Sequence, residues 1–318
     1  MSTPIFMALK EIWPDAIVDV LAIPETASVL KNNPYINKVY TFNKRKKVNK
    51  LRSFFPLVSA LRKNKYDISF SIHSSLTSSL IMLLSGIKKR IGYETQKLLT
   101  TKVSLDRNLH IRDRVLLLVQ GFTNKKLNNE TAVYCNESDI KKAKSLLTDN
   151  EPSMKIAMAP GSVWATKKWP ENYFVDLLKK CSDYSIYLIG GADDYDLCER
   201  IIHKTGLATI TNCAGKLSIL ESCALIKEMD LVVCNDSAPL HMANAVKTDV
   251  FAFFGPTVQK FGCYPYRNGD KMLEVELDCR PCGKHGGNHC PLNHHRCMLD
   301  VKPEAVYEEI KQHFLTHN

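Results

Sequence analysis

Residues Leu231–Thr257 read LVVCNDSAPLHMANAVKTDVFAFFGPT, and the fold is decided here. Leu231–Cys234 is an unbroken apolar run, Pro239–Ala245 carries a helical pattern, and Val250–Phe254 is apolar again. A strand, a crossover helix and a second strand of these lengths predict a parallel pair, since antiparallel neighbours are joined by much shorter turns. The polar residues cluster where each strand ends. In open parallel sheets ligands bind in the crevice beyond the carboxyl ends of the strands.

The same alternation extends in both directions. Towards the C-terminal half it predicts strands at Lys155–Ala159 and Ile186–Gly190, with helices at Glu171–Cys181, Asp194–Thr205 and Ser218–Met229, and a closing helix at Pro303–Thr316. In the other direction strands are expected at Ala16–Ile23, Val39–Phe42, Asp67–Ile72 and Arg90–Gly92. Helices are expected at Pro4–Trp13, Thr26–Asn32, Phe55–Lys63, Ser75–Ser85 and His110–Gly121. The polar, turn-rich LTDNEPSMK (Leu147–Lys155) reads as a linker, which gives two α/β domains, 1–150 and 151–318.

Composition agrees. The chain has 318 residues, 45% hydrophobic and 24% charged, as in ordinary globular domains. Its longest apolar run, LIMLLSGI from Leu80, falls far short of the ~20 residues that cross a bilayer. The first residues carry no basic-then-apolar leader pattern, so a cytoplasmic protein is expected. The net charge of +10 gathers in residues 1–112, with 19 Lys+Arg against 7 Asp+Glu, densest in NKRKKVNKLR (Asn43–Arg52). Such a run suits a solvated face or an anionic, phosphate-rich partner. No aromatic stacking platforms interrupt it and no helix-turn-helix pattern accompanies it, so nucleic acid is not the expected partner.

Four strand ends of the second half carry the candidate site: PGSVWATKKWPENYF after Ala159, GGADDYD after Ile189, NDSAPLHMANAV after Cys234 and GPT after Phe254. Ser237 suits an N-cap and Pro239 the first helical turn, so the amides from Ala238 to His241, Pro239 excepted, are placed to meet an anion, or simply to begin a capped helix. Asp236 is placed to accept from a sugar hydroxyl or to hold its loop. Ser162, Thr166 and Lys167 supply two hydroxyls and an ammonium, a set that suits a diphosphate. Of the adjacent Lys167 and Lys168, one is expected to be a plain surface cation. Neither G-x-G-x-x-G nor a P-loop is present.

Eleven cysteines are present, the first being Cys135. Those from Cys181 to Cys234 read as small buried hydrophobes. Cys279, Cys282, Cys290 and Cys297 lie together in CRPCGKHGGNHCPLNHHRC, a loop spanning 279–297. One C-x2-C pair and four soft ligands suit a structural zinc; the unequal second spacing and two prolines suit packed reduced thiols or a redox-dependent disulfide. In each case the loop reads as a structural clasp.

In order, PGSVWATKKWP, LIGGADD, NDSAPLHMANA with FFGPT, CRPC with CPLNHHRCM, and the VKPEAV helix resemble the bacterial heptosyltransferases, glycosyltransferase family 9. The resemblance covers nearly the whole chain. It implies the GT-B fold, two Rossmann-like parallel-sheet domains facing across a cleft, with a terminal helix (303–316) that crosses back to the N-terminal domain. It implies inverting transfer of heptose from ADP-heptose to Kdo or heptose of the lipopolysaccharide inner core, without a catalytic metal. It also implies a monomer working at the inner face of the inner membrane. Carried over by position, the phosphate-contacting lysine is Lys167, beside Ser162 and Thr166. The Asp-Ser/Thr-Gly-x-x-His donor motif falls on Asp236, Ser237, Ala238, Pro239 and His241, and Asp194 lies where an acidic residue meets the donor nucleoside. Ala238 departs from the family's glycine, harmlessly if its φ is negative.

The start departs too. MSTPIFMALKEIWPDAIVDVLAI (Met1–Ile23) puts a helix before the first strand, whereas the resemblance implies an earlier basic-apolar strand and a Gly-Asp turn whose Asp is the general base. That strand and base are therefore expected upstream of Met1; Glu11, Asp15 and Asp19 stand at the wrong point of the pattern. The alternative is a non-catalytic sugar-nucleotide-binding protein.

Overall fold

A computed structural model describes residues 1–43, 50–147 and 154–316. Most of the basic run at 43–52 and the centre of the expected linker lie outside the described residues. Two compact units are present, Met1–Tyr134 and Cys135–Asn318.

The first unit runs α1 (Pro4–Ile12), β1 (Asp19–Ala22), α2 (Pro24–Ala27), β2 (Lys38–Thr41), α3 (Lys50–Lys63), β3 (Ile68–Ser71), α4 (Leu76–Leu84), β4 (Lys89–Tyr93), β5 (Thr101–Val103) and α5 (Ile111–Gln120). Its strands form two parallel sheets, β1-β2 and β3-β4-β5. In α1, Pro4 occupies the first turn, where its missing N–H costs nothing, and Ile5, Phe6, Ala8 and Leu9 are buried on one side. That side meets Val115, Leu116, Leu118 and Val119 of α5 in one core. Trp13, just beyond α1, stacks edge-on against Phe122 at 5.0 Å. Asp19 accepts hydrogen bonds from Tyr66 Oη and Asn37 Nδ2.

The second unit continues with α6 (Glu137–Lys144), β6 (Lys155–Ala159), α7 (Glu171–Lys180), β7 (Ser185–Leu188), α8 (Tyr195–Thr205), β8 (Ile210–Asn212), α9 (Ile219–Lys227), β9 (Leu231–Asn235), α10 (Ala238–Val246), β10 (Asp249–Phe253), β11 (Lys271–Leu273), α11 (Arg296–Leu299) and α12 (Pro303–Thr316). Its six strands form one all-parallel sheet in the order β11-β10-β9-β6-β7-β8. The chain builds outward from β6 to β8, then returns to lay β9 on the other side of β6 and builds away again. The reversal between β6 and β9 is the topological switch point, where such sheets hold their ligands.

Strands β6, β9 and β10 are almost wholly buried, as strands covered on both faces must be. Ile156, Met158, Leu231, Val233, Phe251 and Phe253 join one core with α7 and α12. Ala157, Ala159, Val232, Cys234, Val250 and Ala252 join the opposite one, with α9 and α10. Trp169 lies flat on Phe253, centroids 4.2 Å apart, and donates its indole N–H to Val301 O.

Two expectations change here. Helix α6, which the linker reading leaves in the first domain, belongs to the second unit and packs on α9. Its start is a capping box between Asn136 and Asp139. The terminal helix α12, expected to cross back to the N-terminal domain, buries Val306, Ile310 and Phe314 in the second unit's own core, because that i, i+4, i+8 stripe lies on one face of the helix and packs with α7. Among the described residues no helix is long and apolar enough to cross a membrane.

Candidate functional site

The four polar strand ends lie side by side, since β10, β9, β6 and β7 are neighbours and parallel. The register sets β6 level with β9: Ile156 pairs with Leu231 and Ala159 with Cys234. The loops leaving Ala159 and Asn235 therefore start together at the switch point.

Asn235 ties those loops to each other. Fully buried, it accepts the Trp169 backbone N–H on Oδ1 at 2.9 Å and donates through Nδ2 to Pro160 O (2.9 Å) and Gly161 O (3.2 Å). Each of these backbone groups would otherwise be buried without a partner. With both ends of 160–169 held, the intervening 3-10 turn Ala165–Lys167 turns Lys167 inward. Its Nζ lies 2.5 Å from Asp236 Oδ2, with the two side chains 12% and 9% exposed. Asp236 Oδ2 also accepts from Thr257 Oγ1 at 2.6 Å. One ammonium, one carboxylate and one hydroxyl, from the ends of β6, β9 and β10, thus converge on one point. Lys168 is exposed, so of the two lysines it is the surface cation.

The other expected residues arrange themselves differently. Thr166 is buried and its hydroxyl is engaged with Gly287, donating to the carbonyl (3.0 Å) and accepting from the amide (2.8 Å), so it is not turned to a diphosphate. Ser237 stands at the N-cap of α10, but its hydroxyl donates to Asn235 O instead of capping. The Leu240 amide is bonded to Cys234, so it too turns inward and not to the crevice. Pro239 is in the first turn, as expected. Ala238 is helical and is not among the described residues with positive φ, which makes the absent glycine harmless. Ser162 and His241 are half-buried in these loops. Asp194 accepts from the Gly191 amide at 2.9 Å and lies over the β6 and β7 loops. A Cβ on Gly161 would fall 2.1 Å from its Oδ1, and one on Gly190 would fall 2.7 Å from its Cβ, so glycine at both positions is what admits this carboxylate.

The buried cysteines behave as expected of small hydrophobes. Burial pushes the Cys181 and Cys198 thiols up to about 12. In the loop 279–297 the expected zinc set is not assembled: among the described residues no three His, Cys, Asp or Glu side chains converge closely enough to hold a metal ion. The thiols turn to separate partners instead. Cys282 Sγ donates to Cys279 O (3.2 Å), Cys279 Sγ lies 3.9 Å from His294 Nε2, and Cys297 packs beneath Gly255. Burial is the largest single influence on the Cys290 thiol and raises it, but the backbone N–H groups of His295, Leu292, His294 and Asn293 together outweigh it and hold the thiol below its ordinary value. Cys282, Cys290 and Cys297 line a 330 Å³ pocket with Thr166 and His295.

Asn235, Thr257 and Arg280 were not anticipated as site residues. Asn235 and Thr257 sit inside the quoted strand-end motifs, and Arg280 inside CRPC, so position was the available signal. Their roles depend on neighbours distant in the chain.

The profile of glycosyltransferase family 9 (heptosyltransferase) matches residues 54–291. The chain belongs to that family. As a family 9 glycosyltransferase it is 28% identical over 326 residues to lipooligosaccharide heptosyltransferase 2 of Campylobacter jejuni, covering 98% of this chain and 94% of the relative. The structure of E. coli ADP-heptose lipopolysaccharide heptosyltransferase II superimposes with a TM-score of 0.79 at 22% identity, covering 99% of this chain and 94% of that one. E. coli heptosyltransferase WaaC, solved with ADP, gives 0.74 at 14% identity, covering 98% and 95%. These likenesses establish the GT-B fold for this glycosyltransferase.

Proposed function

We propose that the chain transfers heptose from ADP-heptose to the lipopolysaccharide inner core, at a Kdo or heptose acceptor, with inversion at the anomeric carbon. The observation that carries this reading is the Lys167–Asp236 pair at the switch point of the second sheet. It is supported by family membership and by relatives named for ADP-heptose or solved with ADP.

The chemistry follows from the groups present. The acceptor oxygen bonds to the anomeric carbon as the bond from the sugar to the diphosphate breaks. The acceptor's proton passes to a base, the role that the family resemblance gives to the Asp of a Gly-Asp turn. A fixed cation lowers the barrier by meeting the negative charge left on the departing phosphate. The Lys167 ammonium has three N–H donors, and Asp236 takes one. The others meet the diphosphate, with Ser162 beside them and the start of α10, from Ser237 and Ala238 through Pro239 to His241, facing the same charge. Asp236 aims Lys167 before the donor arrives and borders the sugar; Asp194 borders the nucleoside. Because the acceptor would be lipid-borne, the proposal includes a peripheral enzyme at the inner face of the inner membrane, working as a monomer.

The test incubates the protein, purified from its full reading frame, with ADP-heptose and a heptose-deficient core acceptor. ADP release and an acceptor heavier by one heptose are expected, with Lys167→Ala slower by roughly a hundredfold or more. Absence of transfer to both Kdo- and heptose-terminated acceptors, or an unaltered rate in Lys167→Ala, would overturn the proposal.

A further inference from the structure

The loop 279–297 touches both segments that carry the charged pair. On one side it holds the lysine segment. Thr166 and Gly287 exchange three hydrogen bonds: amide to carbonyl (3.0 Å), hydroxyl to carbonyl (3.0 Å) and amide to hydroxyl (2.8 Å). His295 Nε2 donates to Thr166 O at 3.0 Å. The contact has no slack, since a Cβ on Gly286 would fall 2.4 Å from Trp164 Cβ and 3.0 Å from Lys167 Cγ.

On the other side it holds the carboxylate's partner. Arg280, with a side chain 6% exposed, donates from Nε to Gly255 O (2.5 Å) and from Nη2 to Thr257 O (3.0 Å). It also donates to Val275 O and pairs with Glu274 at 2.5 Å. The Cys282 amide adds a bond to Pro256 O at 3.1 Å. The turn Gly255–Thr257 is thereby fixed, and Thr257 is the residue whose hydroxyl holds Asp236. A planar fork with several rigid donors does this in a way that a single ammonium cannot.

We propose that this loop is a brace that sets the separation and aim of Lys167 and Asp236, with Arg280 and Thr166 as positioning residues that do not touch the donor. The inference rests on the reading that Lys167 meets a diphosphate. In turnover, a displacement of about 1 Å at the reacting groups can cost up to roughly a hundredfold in rate.

The test measures ADP affinity by calorimetry, at several salt concentrations, in Lys167→Ala, Arg280→Lys, Thr166→Val and Thr166→Ser. Arg280→Lys and Thr166→Val are expected to bind ADP roughly tenfold to a hundredfold more weakly, the worth of a lost hydrogen bond to a charged group. Their salt dependence should fall towards that of Lys167→Ala, because the lost contact is ionic. Thr166→Ser keeps the hydroxyl and should bind like the parent. A loss of fold alone would lower the folded fraction without altering the salt slope of what still binds. If Lys167→Ala binds ADP as the parent does, the donor reading itself fails. If Lys167→Ala is weakened while Thr166→Val keeps parental affinity and salt slope, the brace is refuted, and Thr166→Val decides this even where Arg280→Lys does not fold.

Discussion

Replacing Lys167 by methionine keeps an unbranched side chain, one atom shorter, and removes its charge. Asp236 would then be a carboxylate with a 9% exposed side chain, left with Thr257 as its described hydrogen-bond partner. At 2.5 Å the pair's gross attraction is about 7 kcal/mol for an effective dielectric near 20, most of it offset by the desolvation of both ions. Removing one partner from a fully buried pair costs roughly 3–5 kcal/mol. The residual exposure and the Thr257 hydroxyl bring the expected loss to about 2–4 kcal/mol. Asp236→Asn strands the ammonium in the same way. The double variant leaves no unpaired charge, so it should be more stable than the two single losses predict, by about 1–3 kcal/mol. The assay is urea unfolding followed by tryptophan fluorescence in a Trp13→Phe background, which confines the signal to Trp164 and Trp169 of the second unit. A loss below about 0.5 kcal/mol in Lys167→Met, or strict additivity in the double variant, would refute the claim that these charges depend on each other.

Asn235→Leu removes three hydrogen bonds and leaves the Trp169 amide and two carbonyls buried; a loss of roughly 2–5 kcal/mol is expected in the same unfolding assay. Ala238→Gly should cost about 0.5–1 kcal/mol, because the position is helical with negative φ, whereas a gain on substitution would show a left-handed backbone there. Alkylation followed by mass spectrometry should label Cys290 ahead of Cys282, and the preference should widen as pH falls. The thiolate is the nucleophile, and the Cys290 thiol is held low by backbone amides while burial and then neighbouring thiols push Cys282 up. Equal labelling at pH 7 would contradict that order.

The long strands were legible because both faces are covered, so Ile156–Ala159 and Leu231–Cys234 read as unbroken apolar runs. The edge strands β5, β8 and β11 were not. Each is three residues long, and sequences such as Thr-Lys-Val or Ile-Thr-Asn carry no periodicity that separates them from loop. Lys167 and Asp236 were legible as strand-end residues, but their pairing was not, because it requires knowing that β9 lies beside β6. The hydroxyls misled for a related reason. Thr166 and Ser237 have the right chemistry for a phosphate, yet a backbone carbonyl claims each one, that of Gly287 from a distant loop for Thr166 and that of Asn235 two residues back for Ser237. The cysteine spacing described which thiols are near one another along the chain and said nothing of where each sulfur points.

The order in which the second sheet is laid down has a further consequence for its birth on the ribosome. β6 is synthesised early but acquires its β9 neighbour only after β7, α8, β8 and α9 have emerged. Until then one flank of a strand that is apolar after Lys155 is open to any passing edge. Nascent chains stalled short of Leu231 should therefore be the species that chaperones hold longest. A carboxyl-terminal truncation at that point should yield insoluble protein, not a smaller folded domain.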